Sequence, residues 1–163
     1  MYCGAENCHM TYSGVHIFRA NIIKATIKYI EENRTEILEN YEEDEYMVET
    51  FNECYNYLKS LLNENVDENN LFSERINYDN FNMTESNKLK LFGLYGIIPV
   101  VYHSDCDGSL TYGEAYDFMQ VLKKIFIFID KSDFDDEIVK LRRYHMYKVF
   151  NECIKTKENI IFG

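Results

Sequence analysis

The twelve residues His103-Ser-Asp-Cys-Asp-Gly-Ser-Leu-Thr-Tyr-Gly-Glu114 carry oxygen donors at the spacing of a calcium loop. With Gly108 at the sixth position, where the backbone must turn sharply, Asp105 and Asp107 fall at the third and fifth. The carbonyl of Ser109 is then seventh, Leu110 eighth, Thr111 ninth and Glu114 twelfth. An EF-hand uses these positions for side-chain oxygens, one main-chain carbonyl, an apolar anchor and a closing bidentate carboxylate. His103 departs from the pattern, because the first position is normally Asp. The candidate metal site is therefore His103, Asp105, Asp107, Ser109 and Glu114. Ca²⁺ is the first expectation, with Mn²⁺ or Zn²⁺ as the ions that accept imidazole among carboxylates. A metal-free account competes with it. Thr111-x-x-Glu114 is also a capping box, Asp105 and Asp107 are able to close Asx turns, and Gly108 supplies a positive φ.

Other chemistry is sparser. Cys3, Cys8 and His9 have the residue types of a zinc site but lack the second pair at finger or ribbon spacing, and His16 is the nearest fourth ligand. No nucleophile elbow, phosphate loop, dinucleotide fingerprint or zinc-protease helix occurs, so no catalytic residue is assigned. Cys106 with His103, or Asp105 with Asp107 around a metal, leaves a metal-dependent hydrolase as the enzymatic alternative. The segment Glu31–Glu53 is strongly acidic, with Arg34 its one cation. Such a run is ordinarily a solvated helix face. The functional alternative is a docking surface through Glu39, Glu42, Glu43, Asp44, Glu45 and Glu49 for a basic protein.

Charge bounds the partners. Against 17 Lys and Arg stand 28 Asp and Glu, a net charge of -11 that repels nucleic acid and anionic membrane and favours cations or basic proteins. Five scattered cysteines without a disulfide rhythm, and no signal-peptide pattern at the start, lead to the expectation of a reduced, cytoplasmic protein. No apolar run is long enough for a membrane span.

The elements that must position these residues are read from apolar spacing. Over 163 residues with 46% apolar content, one Pro and seven Gly, a single all-α domain of about five helices is expected, spanning 1–163. The first helix follows a Ser13 N-cap through Phe18, Ile22, Ala25 and Ile30. A second runs from about Asp44 to Leu62. Residues 63–87, rich in Asn and Asp, are expected to cross the surface with a short helix, tacked down by Leu71, Phe72, Ile76 and Phe81. A brief helix follows from about Ser86 to Leu94. Pro99 among β-branched neighbours predicts an extended entry to the loop. Helices at about Tyr112–Ile129 and Phe134–Lys155 follow, then a docked tail, Ile160-Ile-Phe162.

His103-Ser-Asp-Cys-Asp-Gly108 with a Glu six residues on resembles a motif in a family of small bacterial and phage proteins without an assigned activity. The stretch Tyr12-Ser-Gly-Val-His-Ile-Phe18-Arg19 and the apolar end Ile160-Ile-Phe162 are similar to theirs too. Where that family places Pro and an acidic residue after the loop's apolar anchor, this chain has Tyr112 and Gly113. The resemblance implies a shared fold and loop. By size and character such proteins are similar to immunity proteins and phage-encoded inhibitors of host defence. The leading expectation is a non-enzymatic binding or regulatory protein with a cation-ordered loop, and the alternative is an acidic inhibitor of a basic partner.

Overall fold

The computed structural model describes residues 1–4, 6–8, 12–67, 69–70, 73–103, 108–129 and 137–162, with the backbone alone for 2, 7, 12, 13 and 137–144. Among them six α-helices surround one core: α1 (Tyr12–Leu38), α2 (Glu45–Ser60), α3 (Met83–Lys88), α4 (Ile97–Tyr102), α5 (Tyr112–Ile125) and α6 (Glu137–Thr156). The fold is all-α, as expected. A small antiparallel sheet sits at one place in it, made of β1 (Tyr2–Cys3), β2 (Glu6–Asn7), β3 (Ser109–Leu110) and β4 (Ile160–Ile161) in the order β2-β1-β4-β3.

The 27-residue α1 is the central helix. Ala20, Ile22, Ile23, Ala25, Ile27 and Ile30 are all buried, which covers more than one helical face. It needs that coverage because α2, α4, α5 and the 3-10 turn Phe126–Phe128 all pack on it. Phe118 of α5 stands edge-on to Phe18 of α1 at 6.4 Å and tilted against Phe150 of α6 at 4.9 Å, so one ring ties three helices together. α2 begins where Asp44 accepts a hydrogen bond from the Met47 amide at 3.2 Å. Residues after α2 cross the surface through a bridge between Leu62 and the buried Ile76 and a 3-10 turn at Tyr78–Asn80. Leu71 and Phe72 lie outside the described residues, and Phe81 is half-buried.

Two expectations are corrected. Ser13 is not the N-cap of α1, since the helix already includes Tyr12. The loop at 103–114 is entered from α4, a helix, and not from an extended segment. Pro99 is the third residue of α4, within the first turn, where an amide has no intrahelical acceptor to lose. Burial of Ile97, Ile98, Val100 and Val101 then overrides their β preference. The tail behaves as expected, with Ile160 buried and β4 paired to both β1 and β3.

Gly96, the N-cap of α4, is buried where the chain crosses α5. A Cβ there would run into the Asp117 carbonyl and come within 2.9 Å of the Phe118 amide nitrogen, both of them backbone atoms that cannot swing away. Gly96→Ala is therefore expected to lower unfolding free energy by about 1–3 kcal/mol, as overpacking does, read from urea denaturation against wild type.

Candidate functional site

Four pieces of structure converge on the loop. α4 ends at His103, whose backbone is already extended (φ -67, ψ 145). Gly108 turns the chain with φ +96, a conformation that L side chains rarely adopt. β3 follows at once, with Leu110 1% exposed as the inward anchor. Thr111 then caps α5. The Thr111 hydroxyl accepts from the Glu114 amide at 3.2 Å, while the Glu114 Oε2 accepts from the Thr111 amide at 2.8 Å and its hydroxyl at 2.9 Å. The capping box read from the sequence is thus formed. Together these make a helix, a turn on glycine, a short strand and a capped helix in the order an EF-hand has them.

The sheet decides where the Ser109 carbonyl points. The Phe162 amide donates to the Gly108 carbonyl at 3.0 Å, and Ser109 lies opposite Ile161. With the ladder bond one residue before it, Ser109 is in a non-hydrogen-bonded pair, and its carbonyl turns away from β4. β3 is the end strand of the sheet, so that carbonyl faces an open edge.

His103 is held at the first loop position by its surroundings. Its ring stacks on Phe162 with centroids 3.9 Å apart and planes 24° from parallel. A Cβ on Gly108 would sit 3.3 Å from the His103 Cε1, so the first and sixth positions face each other. Asp105 and Asp107, together with Cys106, lie outside the described residues. Among the described residues no three His, Cys, Asp or Glu side chains form a group able to hold a metal. Cys3 and Cys8 are buried, and His9 lies outside the described residues. The Cys3 thiol faces the Glu158 carbonyl and the Thr156 hydroxyl, each at 3.9 Å, and the Cys153 thiol donates to the same carbonyl at 2.8 Å. Burial first, then the neighbouring Cys3, pushes the Cys153 thiol up to about 11, so it is protonated at neutral pH.

The residue that sequence reasoning missed is Arg19. It is 4% exposed, and its guanidinium donates to the Val100 carbonyl at 3.2 Å, the Tyr78 hydroxyl at 3.3 Å and the His103 carbonyl. The Val100 and His103 carbonyls belong to the C-terminal end of α4, where helical carbonyls lack internal partners and the dipole favours a cation. A signal was available: Arg19 lies three and four residues before Ile22 and Ile23, on the same face of the helix as these apolar residues.

The acidic segment is divided by its contacts. Glu31 accepts from the Tyr55 hydroxyl at 2.6 Å, Asp44 caps α2, and Glu53 pairs with Lys88 at 2.7 Å. Lys88 also pairs with Glu85 at 2.8 Å, and hydrogen bonds to Glu53 and then Glu85 hold its ammonium above the ordinary lysine range. Glu39, Glu42, Glu43, Glu45 and Glu49 are exposed around the α1–α2 connection and make no ion pair with a described residue. No helix among the described residues is long and apolar enough to cross a membrane. Comparison with protein-family models, with curated proteins and with solved structures finds no match for this chain.

Replacing Arg19 by Met keeps the buried stem and removes the donors. Arg19→Met is expected to cost about 2–3 kcal/mol of unfolding free energy, because two carbonyls lose a charged donor. In hydrogen exchange, amides flanking the loop at His103 and Gly108 are expected to lose protection before those of α2.

Proposed function

We propose that this protein is a non-enzymatic binding or regulatory protein whose 103–114 loop takes a divalent cation, Ca²⁺ before Mn²⁺ or Zn²⁺. The observation that carries the reading is the Ser109 carbonyl, turned to the open edge of the sheet at the seventh loop position, one residue after Gly108 and five before Glu114. Gly108, the anchored Leu110 and the helical entry support it further. Asp105, Asp107 and Glu114 would supply carboxylate oxygens, and the charge of the ion would be balanced by them. Glu114 has a second role to surrender, since its Oε2 caps α5. Bidentate ligation withdraws that oxygen from Thr111, so the cation and the capping box compete for one carboxylate. His103, stacked on Phe162, fits the role of a packed residue better than that of a ligand.

The test is thermal unfolding of chelator-stripped protein titrated with Ca²⁺, Mg²⁺, Mn²⁺ and Zn²⁺, with Asp107→Ala as control. A cation bound only by the native state adds about 2.7 kcal/mol at a hundredfold excess over Kd. The expected result is a saturable rise in melting temperature with Ca²⁺ that Asp107→Ala removes. An unchanged melting temperature with every ion leaves the loop as a capped turn and rejects the proposal.

A second reading rests on a separate observation, the exposed Glu39, Glu42, Glu43, Glu45 and Glu49, which make no ion pair with a described residue. They suit the docking of a basic protein, as an acidic inhibitor of the immunity or counter-defence type would dock. Charge reversal of Glu42, Glu43 and Glu45 is expected to abolish capture of such a partner from a lysate while leaving the melting temperature unchanged. Capture that survives the reversal and is insensitive to salt contradicts this reading.

A further inference from the structure

The two ends of the chain meet, and each brings a free cysteine. Cys3 stands in β1 and Cys153 in the last part of α6, and both are buried. Their thiols share one acceptor: the Glu158 carbonyl lies 3.9 Å from the Cys3 Sγ and 2.8 Å from the Cys153 Sγ. The thiols also interact with each other. Three features bring them together. β1 pairs with β4 through Tyr2 and Ile161, β1 and β2 pack on α6, and Lys157, at φ +59, turns the chain from α6 back towards β4. Cys54 is a contrast, buried within α2 among the charges of Glu85, Lys88 and Glu53 rather than beside a second thiol.

While the pair is docked, burial keeps it unreactive, because a thiol must lose its proton to act as a nucleophile. β1 supplies the way out. It is two residues long, starts at the second residue of the chain and joins β4 through one residue pair, Tyr2 with Ile161. Its other partner is β2, which belongs to the same terminal hairpin. A terminal segment attached in this way opens at less cost than global unfolding. Opening carries Cys3 into solvent and uncovers the side of α6 on which it lay beside Cys153, while α1 to α5 stay packed.

We propose that Cys3 and Cys153 are a disulfide-forming pair, oxidised by a small-molecule disulfide of the glutathione type, and that the bond latches the N-terminal strand onto α6. In the first step Cys3, opened and deprotonated, attacks one sulfur of the small disulfide. A mixed disulfide forms, and the departing small thiolate takes up the proton that Cys3 gave. When β1 docks again, the Cys153 sulfur attacks the Cys3 sulfur of the mixed disulfide. The second small thiol leaves with the Cys153 proton, and the protein disulfide remains. The electron pair lost by the two cysteines thus reduces the small disulfide to two thiols. The bond closes a loop over nearly the whole chain, where a cross-link restricts the unfolded state most. It also fixes the β1 edge of β4, next to Phe162, whose amide holds the Gly108 carbonyl and whose ring stacks on His103. The latch uses no residue of the 103–114 loop and stands whether or not that loop takes a cation.

The experiment incubates the reduced full-length protein with oxidised glutathione, quenches the remaining thiols with N-ethylmaleimide, and reads linked peptides by mass spectrometry and thermal unfolding by calorimetry. The expected product is a monomer in which the Cys3 and Cys153 peptides are joined, with Cys54 alkylated only after denaturation. Its melting temperature is expected to rise by about 5–15 °C and to fall back on reduction with dithiothreitol. Hydrogen exchange at the Phe162 amide is expected to slow in the oxidised form. Cys3→Ser, in the terminal strand, is expected to fold and to lose both the linked peptide and the rise in melting temperature. It keeps the test open if Cys153→Ser, in the core, misfolds. Thiols that all remain reduced, glutathione adducts without the Cys3–Cys153 link, a linked protein with an unchanged melting temperature, or a rise that persists in Cys3→Ser each overturns the proposal.

Discussion

The buried guanidinium of Arg19 ties α1, the end of α4 and the turn at Tyr78 together, and the position of the loop depends on it. It lies within α1, the central helix, and gathers carbonyls from the end of α4 and a hydroxyl from the 3-10 turn at Tyr78. A charge so deeply placed is tolerable because it meets oxygens whose helical partners are missing. The consequence is positional. α4 ends where Arg19 holds its carbonyls, and the loop therefore starts from a fixed point against the core. At its other side the loop is fixed by β3, which pairs with β4 and so with the C-terminal tail. Phe162 joins both attachments, its amide bonding Gly108 and its ring stacking on His103.

Between those fixed points Glu114 has two possible uses. As the third residue of α5 it satisfies the Thr111 amide and hydroxyl, and this arrangement needs no ion. As the twelfth residue of the loop it is placed to close a cation cage in the proposed reading. A capping box is worth about 1 kcal/mol, far less than a tightly held dication contributes, so a modest affinity is enough to shift the carboxylate from one use to the other. The loop is consequently ordered with or without the ion at its C-terminal half, and any response to a cation is concentrated at Thr111 and Glu114 rather than spread through the core.

Much of this architecture was legible in the residues, and the exceptions have physical causes. The apolar stripes of α1, α2 and α5 mark those helices nearly to their ends, Thr111 marks one N-terminus by its capping chemistry, and Ile160 belongs to the tail expected to dock. α4 is not legible because Pro99 reads as a helix breaker in sequence, whereas its place in the first turn, where it breaks nothing, is fixed only by the packed structure. The two-residue strands are too short for alternation to register, and β1 and β4 pair across nearly the whole chain. Around the loop, the positive φ of Gly108 and the Thr111–Glu114 capping box are features that the metal-free account expects, while His103 is a stacked ring that periodicity does not report. Arg19 and Asn21 were hidden for a common reason: each is polar on a buried face of α1, and only the packed structure reveals what meets one and fails to meet the other.

The measurement that bears most directly on the loop is the amide resonance of Thr111, followed by NMR as Ca²⁺ is added to chelator-stripped protein. In the capped state that N–H is bonded to the Glu114 carboxylate. Transfer of the carboxylate to an ion changes the bond, so the Thr111 and Glu114 signals are expected to move together and saturably, with Gly108 following them and α2 unmoved. Resonances of Gly108, Thr111 and Glu114 that stay in place through millimolar Ca²⁺ would contradict the account and leave the loop as a capped turn held by Arg19 and Phe162.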